Sequence, residues 1–149
     1  MRIPKKRGIY SVNEGNAMYW DEATTEYFNS VKFPKSGKPY SARYLPPFST
    51  FLIVRYIGSM VADVHRTLLY GGIFSYPADS KSPRGKLRLL YECFPMAKLV
   101  EEAGGLAFDG KGRVLEQLPK SIHERGPIWL GSYDEVSKVI EIFKSHEKK

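Results

Sequence analysis

Cysteine is almost missing from this chain: Cys93 stands alone among 149 residues. One thiol cannot close an internal disulfide, so a disulfide-stapled scaffold is excluded and a reducing compartment such as the cytosol is the expected setting. Long apolar runs are missing too. The longest aliphatic-aromatic stretch, Phe51 to Val54, is far too short to cross a bilayer. No N-terminal segment has the charged, apolar, small-residue order of a signal peptide. There are no internal repeats and no G-x-S-x-G context for a serine nucleophile. Gly71-Gly72 and Gly104-Gly105 read as helix stops rather than as a dinucleotide loop. Acidic residues are the minority, 16 against 23 basic, for a formal charge of +7. A basic balance implies anionic partners. The basic residues are scattered, however, and cluster only at Arg2, Lys5, Lys6, Arg7 and at Lys148, Lys149. With no zinc-finger, basic-helix or RNA-recognition signature, nucleic acid is not the expected partner; a small phosphorylated ligand is.

What is present fits one globular α/β domain. The hydrophobic fraction is 42% and tyrosines number ten, and a chain of this length buries about two thirds of its unfolded surface. Ile9 to Val12 predicts a short strand ended by the turn-forming Asn13-Glu14-Gly15. Asp21 predicts a helix cap, with the helix running to about Ser30. Pro34 to Pro47 reads as loop. Val61, Val64, Leu68 and Leu69 predict a helix over Ser59 to Tyr70, followed by a strand from Ile73 to Tyr76 and a polar turn from Asp79 to Gly85. Phe94 to Ala103 reads as helix, and Leu106 to Phe108 and Ile128 to Leu130 as short buried strands. Ser132 and Glu135 form a capping-box pattern ahead of Val136, Val139, Ile140 and Phe143, the apolar stripe of a last helix. The expected architecture is a mixed sheet between helical layers.

The densest chemistry lies in Lys86 to Met96. Leu87, Leu89, Leu90 and Cys93 want burial, which would hold Lys86, Arg88 and Glu92 on a stiff element. Upstream, Gly58 and Ser59 stand at a helix start, where free backbone N–H groups suit phosphate. Lys86, Asn13 and the tyrosines beside the glycine turns add donors and a cation of the kind a phosphate needs. Glu92, a carboxylate in an apolar segment, needs a partner. That partner is either Arg88, four residues back, or a hard metal such as Mg²⁺. Asp63 and Asp79 are possible helpers by residue type alone. His65 reads as a structural histidine rather than a base.

The strings Ile9-Tyr-Ser-Val-Asn-Glu-Gly15, Gly37-Lys-Pro-Tyr-Ser-Ala-Arg-Tyr44, Ile57 to Pro77 and Gly85 to Glu92 resemble the class I fructose-1,6-bisphosphatases. The likeness runs from about Ile3 to Phe143 and covers the C-terminal half of that family, an α/β/α layered domain. It implies a cytoplasmic, Mg²⁺-dependent, tetrameric sugar-phosphate phosphatase of gluconeogenesis that removes the 1-phosphate of fructose 1,6-bisphosphate, with Mn²⁺ or Zn²⁺ as alternative metals. By position it implies that Asn13, Tyr76 and Lys86 hold the sugar and its 6-phosphate. Gly58, Ser59 and Met60 would line the pocket, and Glu92 would be a catalytic metal ligand. No membrane partner is implied.

Three departures stand out. The family's N-terminal half, with most of its metal-binding carboxylates, has no counterpart in these residues. A pocket tyrosine expected after Asn13 is replaced by Asn16. The family runs from Ala-Arg-Tyr straight into Ile-Gly-Ser-Met, whereas here Leu45 to Tyr56 intervenes and repeats the Arg-Tyr pair. Arg55 and Tyr56, adjacent to Gly58-Ser59, are the favoured phosphate-binding pair, with Arg43 and Tyr44 the alternative. The inserted segment reads as an unspliced, in-frame piece of gene. Two other readings remain beside the phosphatase. One is a sedoheptulose-1,7-bisphosphatase-like enzyme; the other is a non-catalytic module that binds sugar phosphate.

Overall fold

The computed structural model describes residues 1–35 and 56–148, and the Pro34 to Pro47 loop and the Leu45 to Tyr56 insertion lie almost wholly outside them. The main sheet has four strands: β1 (Tyr10–Ser11), β2 (Ile73–Tyr76), β4 (Leu106–Phe108) and β6 (Ile128–Gly131). Their order across the sheet is β1-β2-β6-β4. β1 runs parallel to β2, and β6 pairs antiparallel with both β2 and β4, so the sheet is mixed, as expected. A second ribbon pairs β3 (Leu87–Arg88) with β5 (Arg125–Gly126).

Alternation along the strands splits the core into two layers, because successive side chains leave a strand on opposite faces. Ile73 and Trp129 face one way and pack with Tyr10, Val12, Phe108 and Tyr27, Phe28 and Val31 of α1 (Glu22–Lys32). Val136 and Val139 of α4 (Tyr133–Glu147) close that layer. Trp129 stacks on Phe28 at 5.5 Å between centroids and meets Tyr27 edge-on at 5.5 Å. Such pairs add about 0.5–1.5 kcal/mol each beyond area burial. Phe74, Ile128 and Leu130 face the other way, against Val64 of α2 (Met60–Tyr70) and Ala97 and Val100 of α3 (Phe94–Glu102). The sheet lies between helical layers.

Local chemistry explains most element ends. Asp21 accepts the Thr24 N–H at 2.7 Å and caps α1, which continues two residues past its expected end, to Lys32. Pro95 sits in the first turn of α3, where its missing N–H costs nothing.

Two expectations need correction. Leu90 is 41% exposed, whereas Leu89 and Cys93 are buried. The reason is that Leu89–Cys93 forms a single π-helical turn, whose wider spacing sends Leu90 and Tyr91 to solvent. The capping box at Ser132 and Glu135 does not form. Ser132 Oγ instead donates to the Pro4 carbonyl at 2.5 Å and accepts the Gly72 N–H at 2.9 Å. Glu135 reaches the N–H groups of Arg7 and Gly8 at 3.3 and 3.0 Å. Both side chains are fully buried, and tertiary donors outcompete the local ones.

Candidate functional site

Asn13 follows β1 and caps a 3-10 turn over Glu14–Tyr19, its Oδ1 accepting the Gly15 N–H at 3.1 Å. Ser59 occupies the N-cap of α2 but makes no side-chain cap bond, so its hydroxyl is not spent on the helix. Gly58, at φ +83°, turns the chain into that helix through a conformation that side-chain-bearing residues rarely adopt. Both are exposed and Met60 is half-buried. The first-turn N–H groups of α2 and the Ser59 hydroxyl therefore face an accessible surface.

Tyr56 and Tyr76 are neighbours, packed with Met60 on the second core layer. The Tyr56 phenol is pushed up, chiefly by burial and further by Tyr76 and Asp63. It therefore stays protonated and available as a hydrogen-bond donor near neutral pH. Arg43, Tyr44 and Arg55 lie outside the described residues.

One residue ties these pieces together, and it was considered above only as a metal helper. Asp63 is fully buried on α2. It accepts the Ser11 hydroxyl at 2.9 Å, the Ile57 N–H at 3.2 Å and the Arg66 guanidinium at 2.5 Å. Ser11 lies two residues before Asn13, and Ile57 lies between Tyr56 and Gly58. Asp63 thus links β1 to the chain entering α2, and its oxygens are occupied by protein donors. Asp79 is likewise engaged, accepting the Lys81 and Ser82 N–H groups at 3.0 and 2.7 Å to shape its loop. His65 is exposed on α2.

Lys86 is exposed at the entrance to β3, and its carbonyl accepts Arg125 Nη1 at 2.6 Å. Gly85 before it is buried at φ +76°, where a Cβ would fall 2.2 Å from the Gly126 carbonyl carbon. The approach of the two chains there leaves no alternative to glycine. Beyond β3, Glu92 Oε2 accepts the Arg88 N–H at 2.6 Å, and Oε1 lies 3.5 Å from the Arg88 guanidinium. Of the two partners considered for Glu92, the structure holds Arg88. The Glu92 side chain remains 28% exposed.

Magnesium takes several oxygen ligands in near-octahedral geometry. Among the described residues, no three His, Cys, Asp or Glu side chains come together in a way that could hold a metal ion. These residues do not make a magnesium site among themselves; Glu92 offers one carboxylate to any larger set.

No helix among the described residues is long and apolar enough to cross a membrane. The family model described as fructose-1-6-bisphosphatase, C-terminal domain, matches residues 3–144. A protein named cytosolic fructose-1,6-bisphosphatase from Brassica napus is 59% identical over 148 residues, 99% of this chain and 40% of its own length. Its namesake from Arabidopsis thaliana is 58% identical over 149 residues, again 40% of its length. That from Solanum tuberosum is 55% identical over 148 residues. The chain spans about two fifths of the length of these curated relatives.

Proposed function

We infer the function of this chain from the family to which it belongs, the fructose-1,6-bisphosphatases, whose C-terminal domain it carries over residues 3–144. It is read as a single domain serving the hydrolysis of the 1-phosphate of fructose 1,6-bisphosphate. Its own contribution is the pocket for the sugar and the 6-phosphate. The observation that supports this reading is the Asp63 hub, which joins the Asn13 side of the pocket to the Tyr56-Gly58-Ser59 side.

In this reading Lys86 supplies the cation, and Tyr76, Tyr56, Asn13 and the Gly58-Ser59 segment supply neutral donors. Charge-assisted bonds to a phosphate are roughly twice as strong as neutral ones, so Lys86 dominates affinity and the others set orientation. Holding the 6-phosphate fixes the sugar and places the opposite end of the substrate, an entropic contribution to catalysis. The family resemblance implies magnesium, which when bound would polarise the phosphate being cleaved, and it makes Glu92 one of the ligands. Met60 lines the pocket wall beside Tyr76. A cytosolic setting and a homo-oligomeric, tetrameric assembly follow from the same resemblance.

A second reading is favoured by one observation, the engagement of both Glu92 carboxylate oxygens by Arg88. In that case the chain binds sugar phosphate without cleaving it. A phosphate-release assay on the purified 149-residue chain with fructose 1,6-bisphosphate and Mg²⁺ tests the role given to Glu92. Little or no turnover is expected. A rate near the enzyme median of about 10 s⁻¹ would show that the chain holds a full metal centre, and the assignment of Glu92 as a single contributed ligand would fall.

A further inference from the structure

Tyr19 and Lys81 belong to none of the groups assigned so far, yet they join the two chain segments that carry Asn13 and Lys86. The 3-10 turn capped by Asn13 ends at Tyr19, whose carbonyl accepts the Ser80 N–H at 3.0 Å. One residue further along the loop, the Lys81 ammonium sits 3.8 Å from the centroid of the Tyr19 ring. Backbone and side chain therefore make two separate ties at the same place.

Both partners are held from behind. On the turn, Glu14 accepts the Tyr10 hydroxyl at 2.8 Å and the Lys32 ammonium at 2.8 Å, which fixes its first residues to the sheet and to α1. On the loop, Asp79 holds the Lys81 and Ser82 N–H groups, and the Gly85 N–H donates to the Ser82 carbonyl at 2.9 Å. Buried Gly85 then delivers the chain directly to Lys86. The Tyr19–Lys81 contact is thus tied along the chain to Asn13 on one side and to Lys86 on the other.

We propose that Tyr19 and Lys81 are positioning residues, a cation–π latch that sets the separation between the Asn13 turn and the Lys86 loop and so tunes sugar-phosphate affinity. The inference rests on the pocket assignment above. Lys81 is exposed and its charge stays hydrated while it rests on the ring. Ring and cation are both required, and neither touches the ligand.

The test is a calorimetric titration of the 149-residue chain with fructose 6-phosphate. Tyr19→Ala and Lys81→Ala should each weaken binding about two- to fivefold, the range of an exposed cation–π contact. Tyr19→Phe keeps the ring and Lys81→Arg keeps the cation, so both should bind like the parent. The double variant Tyr19→Ala/Lys81→Ala should bind no worse than the weaker single one, because both changes break one contact. Losses that add in the double variant would overturn the latch. So would a loss with Lys81→Ala beside an unaffected Tyr19→Ala, the pattern of a lysine that contacts phosphate itself. If Tyr19→Ala does not fold, the exposed pair Lys81→Ala and Lys81→Arg decides, and equal affinities for the two would reject the proposal. Lys86→Ala run in parallel separates the two levels. Undiminished binding in that variant brings down the pocket assignment and the latch with it, whereas a large loss there with unchanged Lys81→Ala rejects the latch alone.

Discussion

Asp63 and Cys93 are two buried groups with different surroundings. Asp63 is surrounded by three donors, the Ser11 hydroxyl, the Ile57 N–H and the Arg66 guanidinium, with which it forms a buried ion pair. Removing one member of a buried ion pair strands the other, which costs about 3–5 kcal/mol. Asp63→Ala is therefore expected to lose about that much stability in urea melts, and a change under 1 kcal/mol would mean that Ser11, Ile57 and Arg66 find other partners. Cys93 is neutral, its thiol pushed up to about 12, first by burial and then by the Glu92 carboxylate. Native protein should therefore resist thiol reagents at pH 8 and react promptly once unfolded. The sign for stability follows from the raised value. The unfolded thiol ionises near 9 while the folded one does not, so this contribution is whole below pH 9 and fades as pH climbs toward 12. Cys93→Ala should flatten that alkaline decline; an unchanged pH profile would count against the thiol as its source.

At the level of elements, helices were readable because periodicity and caps are local. Helices α2 and α4 and the Asp21 cap appear where the pattern put them, but Val61 and Leu69 of the α2 pattern are exposed and its buried face is Asp63, Val64 and Thr67. Ser132 shows where local reading stops. Its sequence neighbourhood fits a capping box, but its partners are Pro4 and Gly72, far away along the chain. The tie from Asp63 to Ser11 and the Tyr19–Lys81 contact were illegible for the same reason, since they join residues far apart along the chain. The π turn escaped notice because an apolar run carries no mark of an extra residue per turn, and with it went the placement of Leu90. Lys86, Asn13 and Glu92 were legible as chemistry through residue type and resemblance, whereas the engagement of Glu92 by Arg88 could only be one of two options. Ser132→Ala tests the tertiary role. It strands the buried Gly72 N–H and the Pro4 carbonyl, and an unsatisfied buried group costs about 1–3 kcal/mol. Destabilisation in that range, measured by thermal melting, is expected; a change under about 0.5 kcal/mol would mean that the Gly72 N–H and the Pro4 carbonyl find other partners.

For the molecule as a whole, the pocket proposed above draws Asn13, Tyr56, Gly58, Ser59, Tyr76 and Lys86 from four segments of the sheet and its helical layers. The central claim is that these segments bind the phosphate of a sugar phosphate through Lys86, without help from metal. The most direct measurement titrates the 149-residue chain with fructose 6-phosphate in the presence of a chelator, beside its Lys86→Ala variant. Charge-assisted hydrogen bonds contribute about 1.5–3 kcal/mol, so the variant should bind at least about tenfold more weakly. Equal affinity in the two proteins, or no binding by the parent chain, would contradict the assignment of the pocket.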